Sequence, residues 1–311
     1  MRILITGSSG QIGTGVGLGL LARGDEVEGL DRRANTWTDK IPTIQCDLCK
    51  GPPGALPARG QFDLVLHLAA HAKVFELVEH PERALENVQV AFNVLEYCRR
   101  TQTPIVFGSS REVYGDIHRH VTEESQADFV VAESPYSASK LAAEAFIYSY
   151  AQCYDLPYLV FRFSNVYGRY DCDAERMERV IPLFIKAIAE DRPIVVYGRD
   201  KILDFTYLDD CVEGVMRGID ALAGGKLNRE IVNLAYGQGA TLHDLVNLIG
   251  LALRKTPEAR YEPSRPGEVT RYVADIAKAR KLLGYEPQTP LTGGIPLAVE
   301  WQRRIGVLPD V

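Results

Sequence analysis

The opening of the chain constrains its fold more than any other stretch. Arg2 to Thr6 is a short apolar strand pattern that runs into Gly7-x-x-Gly10-x-x-Gly13, and an apolar helix pattern follows through about Arg23. Glycines at this spacing permit a tight turn and let the backbone approach a pyrophosphate, which then sits on the helix N-terminus. A glycine motif alone is common; a strand before it and a helix after it give it meaning. Gln11 and Ile12 supply the first helical amides between those glycines. A second strand pattern, Glu26 to Leu30, ends at Asp31, 18 residues past Gly13. A carboxylate there accepts hydrogen bonds from an adenosine ribose and repels a 2′-phosphate, which favours NAD over NADP. Arg32 and Arg33 pull the other way, because a neighbouring guanidinium can hold a 2′-phosphate.

Strand patterns recur at Thr43 to Cys46, Leu64 to Leu68, Ile105 to Phe107 and Tyr158 to Phe163, with helical patterns from Pro81 to Thr101 and Tyr136 to Cys153. Such alternation predicts an α/β fold, a doubly wound parallel sheet of the Rossmann type, with ligands at the carboxyl ends of the strands. After about Val166 the pattern loosens into a loop from Gly168 to Arg179, a helix from Ile181 to Glu190 and a strand from Ile194 to Tyr197. Residues 1–166 with a return segment at about 204–234 are expected to form the NAD-binding domain. Residues 167–203 and 235–311 are expected to form a smaller mixed α/β C-terminal substrate domain.

With 311 residues, 46% hydrophobic and 24% charged, the composition is that of a soluble globular protein. A net charge of −6 offers no basic field for nucleic acid and no polybasic membrane patch. No apolar run reaches about 18 residues, and the first residues leave no room for a signal peptide, so a cytoplasmic location is expected. Six cysteines make no disulfide framework, and Cys46-x-x-Cys49 lacks a second pair, so no metal site is expected.

The chemistry is carried by Ser134-Pro135-Tyr136-Ser137-Ala138-Ser139-Lys140, read with Gly108-Ser109-Ser110 upstream. Tyr136 and Lys140 are four apart and share one helix face. An ammonium near a phenol favours the phenolate, so Lys140 is expected to lower the Tyr136 pKa and make it a general base. Ser110 then relays the proton between substrate and phenol.

Gly7-x-x-Gly10-x-x-Gly13, Asp31, Cys46-Asp47-Leu48, His67-Leu68-Ala69-Ala70, Asn87, Ser110 and Tyr136-x-x-x-Lys140 occur in that order. Arg162-Phe163-Ser164-Asn165-Val166-Tyr167-Gly168, Leu203-Asp204-Phe205 and Arg265-Pro266-Gly267-Glu268 follow them. The chain resembles the extended short-chain dehydrogenase/reductases of the nucleotide-sugar epimerase and dehydratase group, almost end to end. The resemblance implies that Asp47 and Leu48 contact the adenine, and that Leu68, Ala69 and Ala70 line the NAD pocket. Asn87 would support the active-site strand, and Lys140 would also bind the nicotinamide ribose. Asn165 would touch the diphosphate of the sugar nucleotide, Val195 and Tyr197 would flank uracil, and Arg265 would clamp the phosphates. Arg179 and Val180 would lie near the sugar. A homodimer through the helices from Pro81 to Thr101 and Tyr136 to Cys153 is implied in the same way.

Members of this group begin alike. The tyrosine takes the proton of the sugar 4-hydroxyl while the C4 hydride passes to NAD, giving a 4-keto sugar. Epimerases return the hydride to the other face, dehydratases eliminate water, and decarboxylases lose carbon dioxide from a 4-keto glucuronate. Ser110-Arg111-Glu112 separates them only in part. Arginine cannot serve as the general acid that a 4,6-dehydratase needs at that position. Glu112 is also found in decarboxylases of the group. The reading that emerges is an NAD-dependent UDP-sugar 4-epimerase acting on UDP-glucuronic acid or UDP-glucose. A UDP-glucuronate decarboxylase, a 4,6-dehydratase and an NADPH-dependent nucleotide-sugar reductase are the alternatives. Arg111 is either turned outward and solvated or receives a sugar carboxylate, with Arg169, Arg176 and Arg179 as further candidates and Asp171 and Asp173 opposing them. Leu203 replaces an arginine that relatives place on the diphosphate, so Arg199 or Lys201 would assist Arg265.

Overall fold

The computed structural model describes residues 1–51, 61–115, 132–171 and 179–308. Its first half alternates strand and helix: β1 (Arg2–Thr6), α1 (Gln11–Arg23), β2 (Glu26–Asp31), β3 (Thr43–Gln45), β4 (Leu64–His67), α2 (Val74–Glu79), α3 (Glu82–Thr101), β5 (Ile105–Ser110), α4 (Pro135–Tyr154) and β6 (Tyr158–Phe163). There follow β7 (Asn165–Tyr167), α5 (Val180–Ala189), β8 (Ile194–Tyr197), β9 (Ile202–Tyr207), α6 (Leu208–Ala223) and β10 (Glu230–Leu234). The chain then runs through β11 (Gly239–Thr241), α7 (Leu242–Leu253), β12 (Ala259–Glu262), α8 (Ala277–Leu283) and α9 (Leu291–Arg304).

Seven parallel strands form the main sheet in the order β10-β6-β5-β4-β1-β2-β3. This is the doubly wound Rossmann arrangement, and its strand order reverses between β1 and β4. In doubly wound sheets the ligand crevice lies at such a reversal, outside the carboxyl ends of the strands. Strands β1, β4 and β5 are almost wholly buried, with apolar runs at residues 3–5, 64–66 and 105–107, as expected of strands covered by helices on both faces. A three-stranded sheet (β11-β9-β7) and the pair β12-β8 lie outside it. A second apolar core gathers around α5, α7 and α9. Val269, Tyr272, Ala274, Ile276, Leu283 and Tyr285 pack instead into the core beneath β1, β6 and α6.

Two local features place the site. Helix α4 starts with a capping box, Ser134 accepting from the Ser137 amide while Ser137 Oγ accepts from the Ser134 amide, with Pro135 in the first turn. That fixes the first turn, where Tyr136 stands. Strand β5 runs three residues beyond the predicted Phe107, pairing Gly108, Ser109 and Ser110 with Phe161, Arg162 and Phe163. Ser110 therefore stands at the strand's carboxyl end.

Candidate active site

On the β1 side the crevice is made of backbone. Gly7 turns with a φ of 76°, and a Cβ there would meet the Ala69 amide nitrogen at 2.8 Å. A Cβ on Gly13 would strike the Gly7 carbonyl oxygen at 2.2 Å, so the turn closes only with glycine. The α1 N-terminus carries no side-chain cap and no acid in its first turn. Its free amides, including those of Gln11 and Ile12, suit an anion. Asp31 accepts from the Ser9 amide (3.1 Å) and the Arg33 amide (2.9 Å), which orients its carboxylate at the end of β2. Asn87 accepts from the His71 amide (2.7 Å) and donates to the His71 carbonyl (3.1 Å) and Ser139 Oγ (3.2 Å). It thereby clamps the Leu68-Ala69-Ala70 turn to α4. Arg32 is half exposed and lies 3.8 Å from Glu86, so that charge has a protein partner. The uncapped helix, the glycine cradle and the oriented carboxylate fit a dinucleotide. Asp47 caps a short 3₁₀ turn through the Cys49 amide (3.0 Å), and the Leu48 side chain is buried in the core. Leu48 can thus reach a ligand only through its backbone.

At the centre, Ser110 Oγ accepts from the Glu112 amide (3.2 Å) and lies beside the Tyr136 phenol, where it favours the ionised form. Both residues are buried. The expected lowering of the phenol pKa is not found. Burial pushes Tyr136 up to about 12, with Ser110, Arg179 and Arg111 opposing the rise and Glu112 adding to it. Lys140 donates to the Gly108 carbonyl (2.7 Å) and sits 5.8 Å from the Tyr136 ring centre; burial pulls its own pKa down to about 8. Desolvation outweighs the proximity that the four-residue spacing suggests.

On the far side, cations meet acids. Arg111 is buried rather than turned outward, with Nη2 at 2.9 Å from Glu112 Oε1 and 3.2 Å from Asn165 Oδ1, and its guanidinium 5.6 Å from the Tyr272 ring. Asn165 also donates to the Asp204 carbonyl (2.9 Å), so its amide is engaged at both ends. Arg179 donates to Gln11 Oε1 (2.8 Å) and pairs with Asp171 (3.1 Å). The Gln11 side chain also donates to the Arg169 carbonyl (3.2 Å), leaving its backbone amide for a phosphate. Burial raises Asp171 to about 6 against the pull of Arg179. Lys201 is buried against Glu268, and exposed Arg199 lies 5.3 Å from the Tyr261 ring. Arg265 differs. Its guanidinium lies 3.9 Å from the Tyr197 ring centre and 4.7 Å from that of Phe75, and among the described residues it meets no carboxylate. Val180 packs on the second core, and Val195 is exposed. Arg176 and Asp173 lie outside the described residues.

Comparison with known proteins decides the family. Residues 3–235 match the NAD dependent epimerase/dehydratase family. The chain belongs to that family. UDP-glucuronate 4-epimerase 1 of Arabidopsis thaliana is 30% identical over 97% of this chain and 76% of its own. The UDP-glucose 4-epimerase of Thermus thermophilus, solved in complex with NAD, superposes with a TM-score of 0.85 at 29% identity, covering 97% of this chain and 99% of that one. The UDP-glucuronic acid 4-epimerase of Bacillus cereus, solved with UDP-glucuronic acid and NAD, gives 0.87 at 25% identity over 98% and 100%.

Within this epimerase/dehydratase chain, three participants escape sequence reasoning. Phe75 and Tyr272 are the rings against Arg265 and Arg111. The third is a buried pair behind the phenol: Glu144 accepts from Arg162 Nη2 (2.7 Å) and Nε (3.1 Å) and from Ser109 Oγ. It ties α4 to β5 and β6. A signal existed, since Tyr136, Lys140 and Glu144 stand at four-residue intervals on one helix face.

Proposed function

We propose that this protein is an NAD-dependent UDP-hexose 4-epimerase, with glucose or glucuronic acid as the sugar. The observation that carries the reading is the buried Tyr136 phenol, one helical turn from Lys140 and beside Ser110 at the carboxyl end of β5. The 4-epimerases among its relatives support it. Bound NAD supplies reversible hydride exchange at sugar C4 and a positive charge in the crevice. Tyr136 takes the proton of the sugar 4-hydroxyl, with Ser110 holding that oxygen and the phenol in one hydrogen-bonded line. Lys140, fixed on the Gly108 carbonyl, holds α4 at the end of β5. Arg265, between two rings and without an acidic partner among the described residues, suits a diphosphate through its planar fork. Arg111 in ion pairing with Glu112 speaks against the dehydratase alternative, because neither group stands free as an acid or base.

The test is proton NMR of the protein with UDP-glucose, and separately UDP-glucuronic acid, followed for inversion at C4. Tyr136→Phe should slow inversion by about 10²- to 10⁴-fold and still bind NAD. Near-normal turnover by that variant would sink the mechanism. Loss of carbon dioxide would replace it with decarboxylation.

A homodimer belongs to the same proposal. Leu85 and Phe92 of α3 and Phe146 and Tyr148 of α4 are exposed, and the Phe92 and Phe146 rings lie 6.0 Å apart. Such an apolar patch suits a second copy. Light scattering that gives a monomer mass at micromolar concentration would remove it.

A further inference from the structure

We propose that the buried Arg111–Glu112 pair selects an uncharged hexose, with Glu112 the residue that turns away a sugar carboxylate. This rests on the 4-epimerase reading and names the substrate class within it.

The pair follows Ser110 directly, and Ser110 Oγ accepts the Glu112 amide. Both charges reach the Tyr136 phenol, Arg111 favouring its ionised form and Glu112 opposing it. An arginine set to receive a carboxylate keeps two nitrogens free for a bidentate pair. Here Nη2 is already shared by Glu112 and Asn165. Nη1 remains, buried and without a hydrogen-bond partner among the described residues. One N–H is enough for a hydroxyl, which accepts without bringing charge. A second carboxylate would meet a pair whose net charge is already zero. It would also face Glu112, whose side chain is 4% exposed, so water does little to screen the repulsion.

The experiment measures kcat/KM for UDP-glucose and UDP-glucuronic acid on the wild type, Glu112→Gln and Arg111→Met. The wild type should favour UDP-glucose by at least about tenfold. Glu112→Gln should shrink or invert that preference by about tenfold or more, about 1.4 kcal/mol. Arg111→Met removes the positive charge beside Glu112 and should widen it. The ratio cancels losses common to both sugars, so a merely structural role would leave it unchanged. A wild type that prefers UDP-glucuronic acid overturns the inference, as does a Glu112→Gln ratio within about twofold of wild type. Should Glu112→Gln fail to fold, an unchanged or reduced preference in Arg111→Met overturns it. Inversion of neither sugar by wild-type protein that binds NAD fails the 4-epimerase reading itself, and the inference falls with it.

Discussion

Around β1 the groups on offer to a ligand are the amides of the Gly7–Gly13 turn and one carboxylate, Asp31, already oriented by two backbone donors. Across the crevice the polar groups are long cationic side chains, and the protein has spent most of them on itself. Arg111 is held by Glu112 and Lys201 by Glu268, Arg179 pairs with Asp171 and reaches back to Gln11 at the α1 N-terminus, and Arg265 is left between two rings. The difference teaches where selectivity can reside. A backbone cradle is nearly independent of side chains and binds what any chain of this family binds. A set of ion pairs can be re-matched by a single substitution and so can discriminate between related sugars.

The two sides should therefore separate in binding experiments. Arg265→Ala is expected to weaken UDP by about 10- to 100-fold, because hydrogen bonds to a charged group contribute about 1.5–3 kcal/mol. Arg265→Lys should recover only part of this, since it restores the charge without the planar fork. Asp31→Asn should weaken NAD by about tenfold, the loss of charge-assisted bonds to the ribose. Calorimetric titration of each variant with UDP and NAD separately is the check. A large effect of Arg265→Ala on NAD, or of Asp31→Asn on UDP, would break the division between the two sides.

That division also explains what the sequence made legible. The glycine turn, Asp31 and the strand–helix alternation are short-range patterns, and the structure reproduces them. Ser110 is instructive, because Gly108-Ser109-Ser110 has little strand propensity and is held extended by parallel pairing with β6. The six-residue helix α2, which brings Phe75 to Arg265, is too short to show a period. The ion pairs were invisible for another reason. Lys201 and Glu268 are 67 residues apart, and even the adjacency of Arg111 and Glu112 does not say that they face each other. The Tyr136 pKa follows burial rather than spacing, and burial at that depth emerges only from the packed molecule.

His67 tests the cofactor side as a stability element. It ends β4, fully buried, with Nδ1 at 2.6 Å from Thr6 Oγ1 across the sheet's reversal point. Burial, with Lys140 adding to it, holds its pKa down to about 3. The folded protein thus keeps His67 neutral while the unfolded chain takes up a proton below about pH 6.5. Stability is lost as pH falls from about 6.5 towards 3, by about 1.4 kcal/mol per pH unit from this residue. Asp204 and Asp171, both raised by burial to about 6, act in the opposite sense between their ordinary range and 6, so the wild-type profile alone mixes the contributions. The difference between wild type and His67→Asn isolates the histidine. In urea unfolding at pH 7, 6 and 5, His67→Asn should be less stable at pH 7, because it leaves a small gap. It should then lose less with each unit of acid, so the two curves converge. Parallel curves would mean that His67 titrates alike folded and unfolded, and that the crevice at the end of β4 is wetter than its packing implies.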